Sequence, residues 1–414
     1  MRLLGYALPL AVTLVSSVWA DDAPVGVGDK DRVVFFGDKL VDPPGFGYMV
    51  ESFIRVKYPE SRARFWHVGV REYAKIETAN ELFNDKVAVL KPTVVVLCWG
   101  LGDGGMSRHS DVRVAKVTEE FATLVERCQR LGARVFVLTP PRPTVAKKNI
   151  LSVNEYDVTV LKIGEAMKRV AEGKGVTVLD WYAASAAGQR AGDPAAWTQR
   201  DGLGPTAQSN AVAAKLIMDA WGLRPIEVAI TVDWSSGTVS TTHGTAELAR
   251  VGDETRRLIL RDFPMPFHTG KRRASFNNHL ACGDYCRILL KVEGIPQGTV
   301  LLQAPETRRK PVELSSRKLR EGYNLAVSSP LTRAQPLVLL VDRIETKNQA
   351  YSVAERVRKQ FQAGTPEPEL VESYKTNLLS RKQYHEGMVK IIERTPRTLD
   401  LTIDMVFTAS GSEP

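Results

Sequence analysis

Four short clusters of glycine and carboxylate have the residue types from which a ligand site can be built. They are Gly37-Asp38-Lys39, Val68-Gly69-Val70, Gly100-Leu101-Gly102-Asp103 and Asp201-Gly202-Leu203-Gly204-Pro205. Glycine lets a bound group approach the backbone closely, and a carboxylate can orient a cation, move a proton or brace a loop. Lys39 adds an ammonium, which can hold a carboxylate or sulfate, act as a desolvated amine, or pair with Asp38, Asp103 or Asp201. Ser107 and His109 offer a hydroxyl and an imidazole two residues apart, and Trp99 stands beside Gly100 where it could line a pocket. Taken singly, each Gly-Asp or Asp-Gly pair is also ordinary turn chemistry.

The elements that position these clusters are legible in the hydrophobic pattern. Short β-branched runs at 33–36, 64–66, 94–98, 134–138 and 176–180 alternate with helical patterns at 48–57, 79–90, 112–131, 155–172 and 207–221. That alternation predicts a five-stranded parallel sheet covered by helices on both faces, an α/β three-layer sandwich. Open sheets of this kind place ligands at the carboxyl ends of their strands. The clusters at Gly37, Gly69 and Gly100 follow the first three strands, and the one at Asp201 precedes the last helix.

In order and spacing the four clusters resemble the signature blocks of the SGNH (GDSL-type) hydrolases, and the likeness covers about 32–223. The resemblance implies a flavodoxin-like fold and ester chemistry by a serine, a histidine and an aspartate, with backbone amides and an asparagine holding the oxyanion. Phe35-Phe36-Gly37-Asp38 matches the first block, but the nucleophile position is Lys39. Gly69 stands at the second-block glycine, an oxyanion-hole position, and Gly102 replaces the oxyanion asparagine in the third block, which keeps Gly100 and Asp103. In the last block Asp201, Gly202 and Pro205 match, Asp201 being the retained triad acid, while Gly204 takes the place of the histidine. The resemblance therefore implies a degenerate member, a pseudoenzyme that binds a ligand or partner. The alternative is a hydrolase of acyl or carbohydrate esters working through a displaced constellation such as Ser107 and His109.

The rest of the chain bounds the function further. Its 414 residues divide into 1–20, 21–225 for the α/β domain, 226–342 for a β-rich accessory domain with strand-like runs that include 337–340, and 343–414 for a helical C-terminal region with a closing strand at 398–405. Residues 1–20 combine Arg2, an apolar stretch and Val18-Trp19-Ala20, the pattern of a cleaved secretory signal, or else of a single anchor. Export to the cell envelope or medium is the expectation, with no further membrane span. Lys and Arg number 56 against 47 acids, a spread excess of +9 that lacks the basic stripe of a nucleic-acid binder. The basic triplets Lys271-Arg272-Arg273 and Arg308-Arg309-Lys310 suit solvated loops or an anionic surface. Cys282 and Cys286 can form a local disulfide in an exported chain, and Cys98 and Cys128 read as core thiols. No cofactor motif or metal-ligand spacing is present, and a carbohydrate, an ester-bearing group or an anion is the expected ligand.

Overall fold

The computed structural model describes residues 26–41, 45–70, 73–144, 153–193, 196–264, 285–305, 310–327, 343–344, 347, 383–394 and 398–409. The expected signal, the Lys271 triplet, Arg308-Arg309, the strand at 337–340 and Cys282, and with it the Cys282–Cys286 pairing, lie outside those residues.

Five strands form the first sheet: β1 (Arg32–Gly37), β2 (Arg64–Gly69), β3 (Val94–Cys98), β4 (Arg134–Leu138) and β5 (Thr177–Leu179). They run parallel in the order β2-β1-β3-β4-β5. This is the flavodoxin-like order, in which the chain passes outward from β1 to β2 and then returns past β1 to β3. The reversal leaves a crevice at the carboxyl ends of β1 and β3, where the Gly37 and Gly100 clusters sit.

Continuous apolar strands are buried on both faces, and β3 is buried at all five residues. On one face, α1 (Phe46–Lys57) and α6 (Ala207–Ala220) bury Phe53, Ile54, Ala214 and Ile217 against Val33, Phe35 and Val96. On the other, α2 (Ile76–Lys86) and α3 (Asp111–Arg130) bury Leu82, Phe83, Phe121 and Leu124 against Val34, Phe36, Val95 and Leu97. Two further helices, α4 (Val153–Gly173) and α5 (Trp181–Ala191), complete the layers. The sequence pattern missed α5, whose alanine-rich run has little amphipathic contrast; its start is fixed by Asp180, which accepts from Ala183 N at 2.9 Å.

After α6 the chain builds two more sheets. One orders β13-β10-β6-β7 from β6 (Ile226–Asp233), β7 (Thr238–Thr241), β10 (Cys286–Glu293) and β13 (Tyr323–Asn324). The other orders β12-β11-β14-β9-β8 from β8 (Thr245–Arg250), β9 (Thr255–Pro264), β11 (Gly298–Gln303), β12 (Val312–Ser315) and β14 (Thr398–Ala409), all antiparallel. A short helix, α7 (Ser316–Glu321), follows β12. Burial alternates strictly along β10, the sign of a sheet with one covered face. The final strand, β14, lies between β11 and β9, so the antiparallel sheet needs the far end of the chain to close. Arg257 on β9 binds Asp404 on β14 through two nitrogens, at 2.7 and 3.0 Å.

The C-terminal part also reaches the first sheet. Lys347 buries its ammonium against the Glu51 carboxylate of α1 and the Phe65 carbonyl of β2, and His385 stacks on Trp66 with ring centroids 5.8 Å apart. These residues cover the flank of β2, the edge strand of the parallel sheet.

Candidate functional site

The loop after β1 is set by Gly37 and Asp38. A Cβ at Gly37 would lie 2.3 Å from the Cys98 carbonyl oxygen, so only glycine lets β1 end this close to β3. Asp38 turns inward, fully buried, and its Oδ1 accepts from Leu40 N at 2.9 Å. Burial, with Asp103 adding like charge, outweighs that hydrogen bond and pushes its pKa up to about 8. Asp38 therefore braces the loop from below and presents no side chain to a ligand.

Lys39, the next residue, turns outward. Its Nζ lies 3.6 Å from Asp201 Oδ2 and 4.7 Å from the centroid of the Tyr73 ring. The Tyr73 hydroxyl donates to the same Asp201 oxygen at 2.8 Å. Asp201 Oδ1 accepts from Leu203 N at 3.0 Å and from Gly204 N at 2.9 Å, closing the turn before α6. Partial burial alone would raise the Asp201 pKa, but the two amides, the Tyr73 hydroxyl and the Lys39 charge together hold it below the usual carboxylate value. The structure thus brings Lys39, Asp201 and Gly204 into one site.

Tyr73, which carries no motif in the sequence, packs against both Gly102 and Gly204. A Cβ at Gly102 would lie 2.2 Å from the Tyr73 carbonyl oxygen and 2.3 Å from its carbonyl carbon. A Cβ at Gly204 would lie 3.2 Å from the Tyr73 hydroxyl and 3.1 Å from Gln199 Cδ. The backbone of Tyr73 fills the space beside Gly102, and its side chain, with Gln199, fills that beside Gly204. Gly69 is half-buried at the end of β2, in register with Gly37, and Val70 N donates to the Gly37 carbonyl at 2.9 Å.

The other candidate residues are placed elsewhere. Trp99 does not line the cleft: it is fully buried on the α2–α3 face of the sheet, edge-on to Phe36 at 5.1 Å. Ser107 donates its hydroxyl to the Gly104 carbonyl at 2.9 Å, and His109 Nε2 lies 2.9 Å from Asp111 Oδ1. Each is engaged within its own loop, and among the described residues the two are not hydrogen-bonded to each other. Asp103 is 3% exposed and accepts from Ile76 N at 2.9 Å, which fixes the start of α2. Burial raises its pKa to about 6. His67, at the end of β2, faces α1 and lies 3.4 Å from Glu51, away from any serine of the cleft. No group of three or more His, Cys, Asp and Glu side chains able to hold a metal occurs among the described residues.

A five-stranded parallel sheet of this order, with loops converging at its switch point, defines a flavodoxin-like α/β protein carrying added strand-rich sheets. No protein-family model matches the sequence, and no curated protein matches it. Solved structures do. The chain is similar, at 15% identity and a TM-score of 0.72, to BT4096, a gut microbial diltiazem-metabolizing enzyme, over 91% of this chain and 97% of that one. It also matches LAE5, an α/β hydrolase enzyme from the metagenome of Lake Arreo, Spain, at 19% identity and a TM-score of 0.41, over 46% of this chain and 95% of that one. Axe2, an acetylxylan esterase from Geobacillus stearothermophilus, matches at 18% identity and a TM-score of 0.42, over 49% and 97%. The first likeness is one of fold and spans more than the parallel sheet.

Proposed function

We propose that the chain is an exported protein of the SGNH hydrolase type that has lost the serine route and binds a ligand or partner at the former catalytic cleft. The observation that carries this reading is the Lys39–Asp201 ion pair braced by Tyr73, which joins the nucleophile position to the retained acid, with Gly204 at the position of the base. A triad needs a hydroxyl beside an imidazole beside a carboxylate, and loss of one member typically costs several powers of ten in rate. Here only the carboxylate is kept.

The pair suits binding. Both side chains are 36% exposed and 3.6 Å apart, a partly solvated arrangement worth about 1 kcal/mol or less. A carboxylate or sulfate can therefore displace Asp201 from the ammonium at small cost, while Asp201 keeps its two amides and Tyr73. The ligand class is a carbohydrate or another ester-bearing or anionic molecule. Similarity to the BT4096 structure supports the scaffold, and the anion preference rests on Lys39 alone.

The test is an assay of the purified protein with p-nitrophenyl acetate and butyrate, run beside a binding screen of acetylated and anionic glycans. Background hydrolysis and a bound glycan that Lys39→Ala releases are expected. Turnover well above a denatured control and abolished by Asp201→Asn would overturn the reading in favour of an active hydrolase.

A further inference from the structure

Five ionisable side chains meet at the outer flank of β2, and none of them belongs to the Lys39–Asp201 cleft. They are Glu51 and Arg55 of α1, His67 of β2, and Lys347 and His385 from the C-terminal part, none more than 5% exposed. The open edge of the sheet sets their place. Arg64 N donates to the Asp31 carbonyl, so in the parallel ladder the next residue, Phe65, turns its carbonyl away from β1. Lys347 Nζ donates to that carbonyl at 3.2 Å and also to the Glu51 carboxylate, and the His385 ring donates to the same carbonyl. His385 lies on Trp66 with its ring plane 9° from parallel. Two side chains of the C-terminal part thus stand in for the neighbour strand that β2 lacks.

The helix that carries His385, at 383–393, is held by one narrow face. His385, Met388, Val389 and Ile392 are buried in a single stripe, and the rest of it is half-buried or exposed. A helix this short, with Gly387 in its interior, has little stability away from its packing surface. One of its anchors is therefore an ionisable ring set among charges.

Those charges leave no place for another proton. The Glu51 carboxylate meets Lys347, Arg55 at 3.8 Å and His67 at 3.4 Å. A proton on His385 would add a cation that faces Lys347 and His67, and the Glu51 carboxylate that also faces it is already matched by Lys347 and Arg55. A proton on His67 would do the same from the β2 side, where its ring lies against Phe35 with centroids 4.9 Å apart and faces Glu51 and Lys347. Burial, then Lys347, holds the His385 pKa down at about 4 in the closed state. Both α1 and β2 are built into the core of the parallel sheet, so relief comes from the C-terminal side, which is held by side chains.

From this cluster we infer that Lys347 and the helix at 383–393 form an acid-released latch on β2, closed at neutral pH and opening while the parallel sheet stays folded. The proton goes to His385, whose free ring titrates near 6.5, so the closed state is favoured above that value and loses ground as pH falls toward 4. From His385 alone the open fraction rises about twentyfold between pH 7 and pH 5.

Hydrogen exchange of the full chain at pH 7 and pH 5, normalised to the intrinsic rate at each pH and read by mass spectrometry, tests the latch. Peptides from 383–393 are expected to exchange about twentyfold faster at pH 5, and those from β3 and β4 at an unchanged rate. His385→Phe keeps a ring on Trp66 but removes the proton site, and should cut the acid effect to about threefold or less. His385→Gln, which keeps a donor for the Phe65 carbonyl, should do the same and covers the case in which the Phe variant misfolds. Lys347→Met should speed exchange of 383–393 already at pH 7. Equal acceleration in β3 and β4 would show global unfolding and overturn the inference. A pH response unchanged in both His385 variants, or absent from the native protein, would overturn it as well. All of these outcomes leave the cleft reading untouched.

Discussion

Lys39 Nζ stands 3.6 Å from Asp201 Oδ2, and Tyr73 holds the two together, its hydroxyl on that oxygen and its ring beneath the ammonium. Asp201 accepts three hydrogen bonds in all, two of them from the backbone of the turn it closes, whereas Lys39 makes one partly exposed ion pair. The two partners therefore contribute unequally. Asp201→Ala should destabilise by about 2–3 kcal/mol, and Lys39→Ala by about 1 kcal/mol or less, as read from urea unfolding midpoints. Equal losses would mean that the ion pair, not the turn, governs this corner.

Gly102 has no room for a side chain. A Cβ there meets backbone at 2.2 Å, which cannot move as a flexible side chain would. Gly102→Ala is expected to cost about 2–4 kcal/mol through displacement of the Tyr73 segment, comparable with severe overpacking. Gly102→Asn should fail to add an oxyanion donor. The combined change Lys39→Ser with Gly204→His should likewise leave p-nitrophenyl acetate hydrolysis near background, since Tyr73 and Gln199 crowd position 204. Recovery of esterase activity in that variant would show that Tyr73 gives way.

The cluster linking α1, β2 and the C-terminal part predicts an acid-side loss of stability. Burial holds His67 below its ordinary value and His385 down at about 4, so His385 is neutral in the folded protein near pH 6 while the unfolded chain binds its proton. Stability from these histidines is complete above about pH 6.5 and falls as pH drops toward 4, by about 3 kcal/mol for His385. Burial opposes the Glu51 charge, but Lys347, His67 and Arg55 overcome it and lower its pKa to about 2, so its contribution falls between about pH 4 and pH 2. Lys347→Met should cost about 3 kcal/mol, since it leaves a buried carboxylate with, among the described residues, only Arg55 at 3.8 Å as an ion-pair partner of permanent charge. Thermal melts between pH 4 and 7 check the window, and a flat profile would count against it.

Asp38 runs in the opposite sense. Its pKa, raised to about 8, means that the folded protein holds a proton that the unfolded chain releases near pH 4. Stability from this group is therefore full below about pH 4 and declines as pH rises toward 8. Asp38→Asn keeps an acceptor for Leu40 N and removes the titration, so it should stabilise the protein at pH 8 relative to pH 5. An unchanged pH dependence in Asp38→Asn would show that the carboxyl is ionised in the folded state.

Much of the first sheet could be read directly. The runs 94–98 and 134–138 are the strands β3 and β4 to the residue, because strands buried on both faces are almost uniformly apolar. The helix pattern at 112–131 corresponds to α3, whose ends carry a Ser110 cap, Asp111 in the first turn and Arg127 and Arg130 in the last. Weakly patterned elements escaped: α5 is rich in alanine, and β8 is half-buried at Thr245–Ala249 and exposed at Arg250.

The frame was legible in the sequence: which residue types stand after each strand, and the expectation, from a family resemblance, that Lys39 and Gly204 stand where a nucleophile and a base would. These follow from periodicity and local turn chemistry, which neighbouring residues specify. Tertiary structure alone decided how the frame is filled. Tyr73 is 128 residues from Asp201 in the chain, and Lys347 is 296 from Glu51. Contacts of that separation depend on how layers pack, and no local pattern carries them.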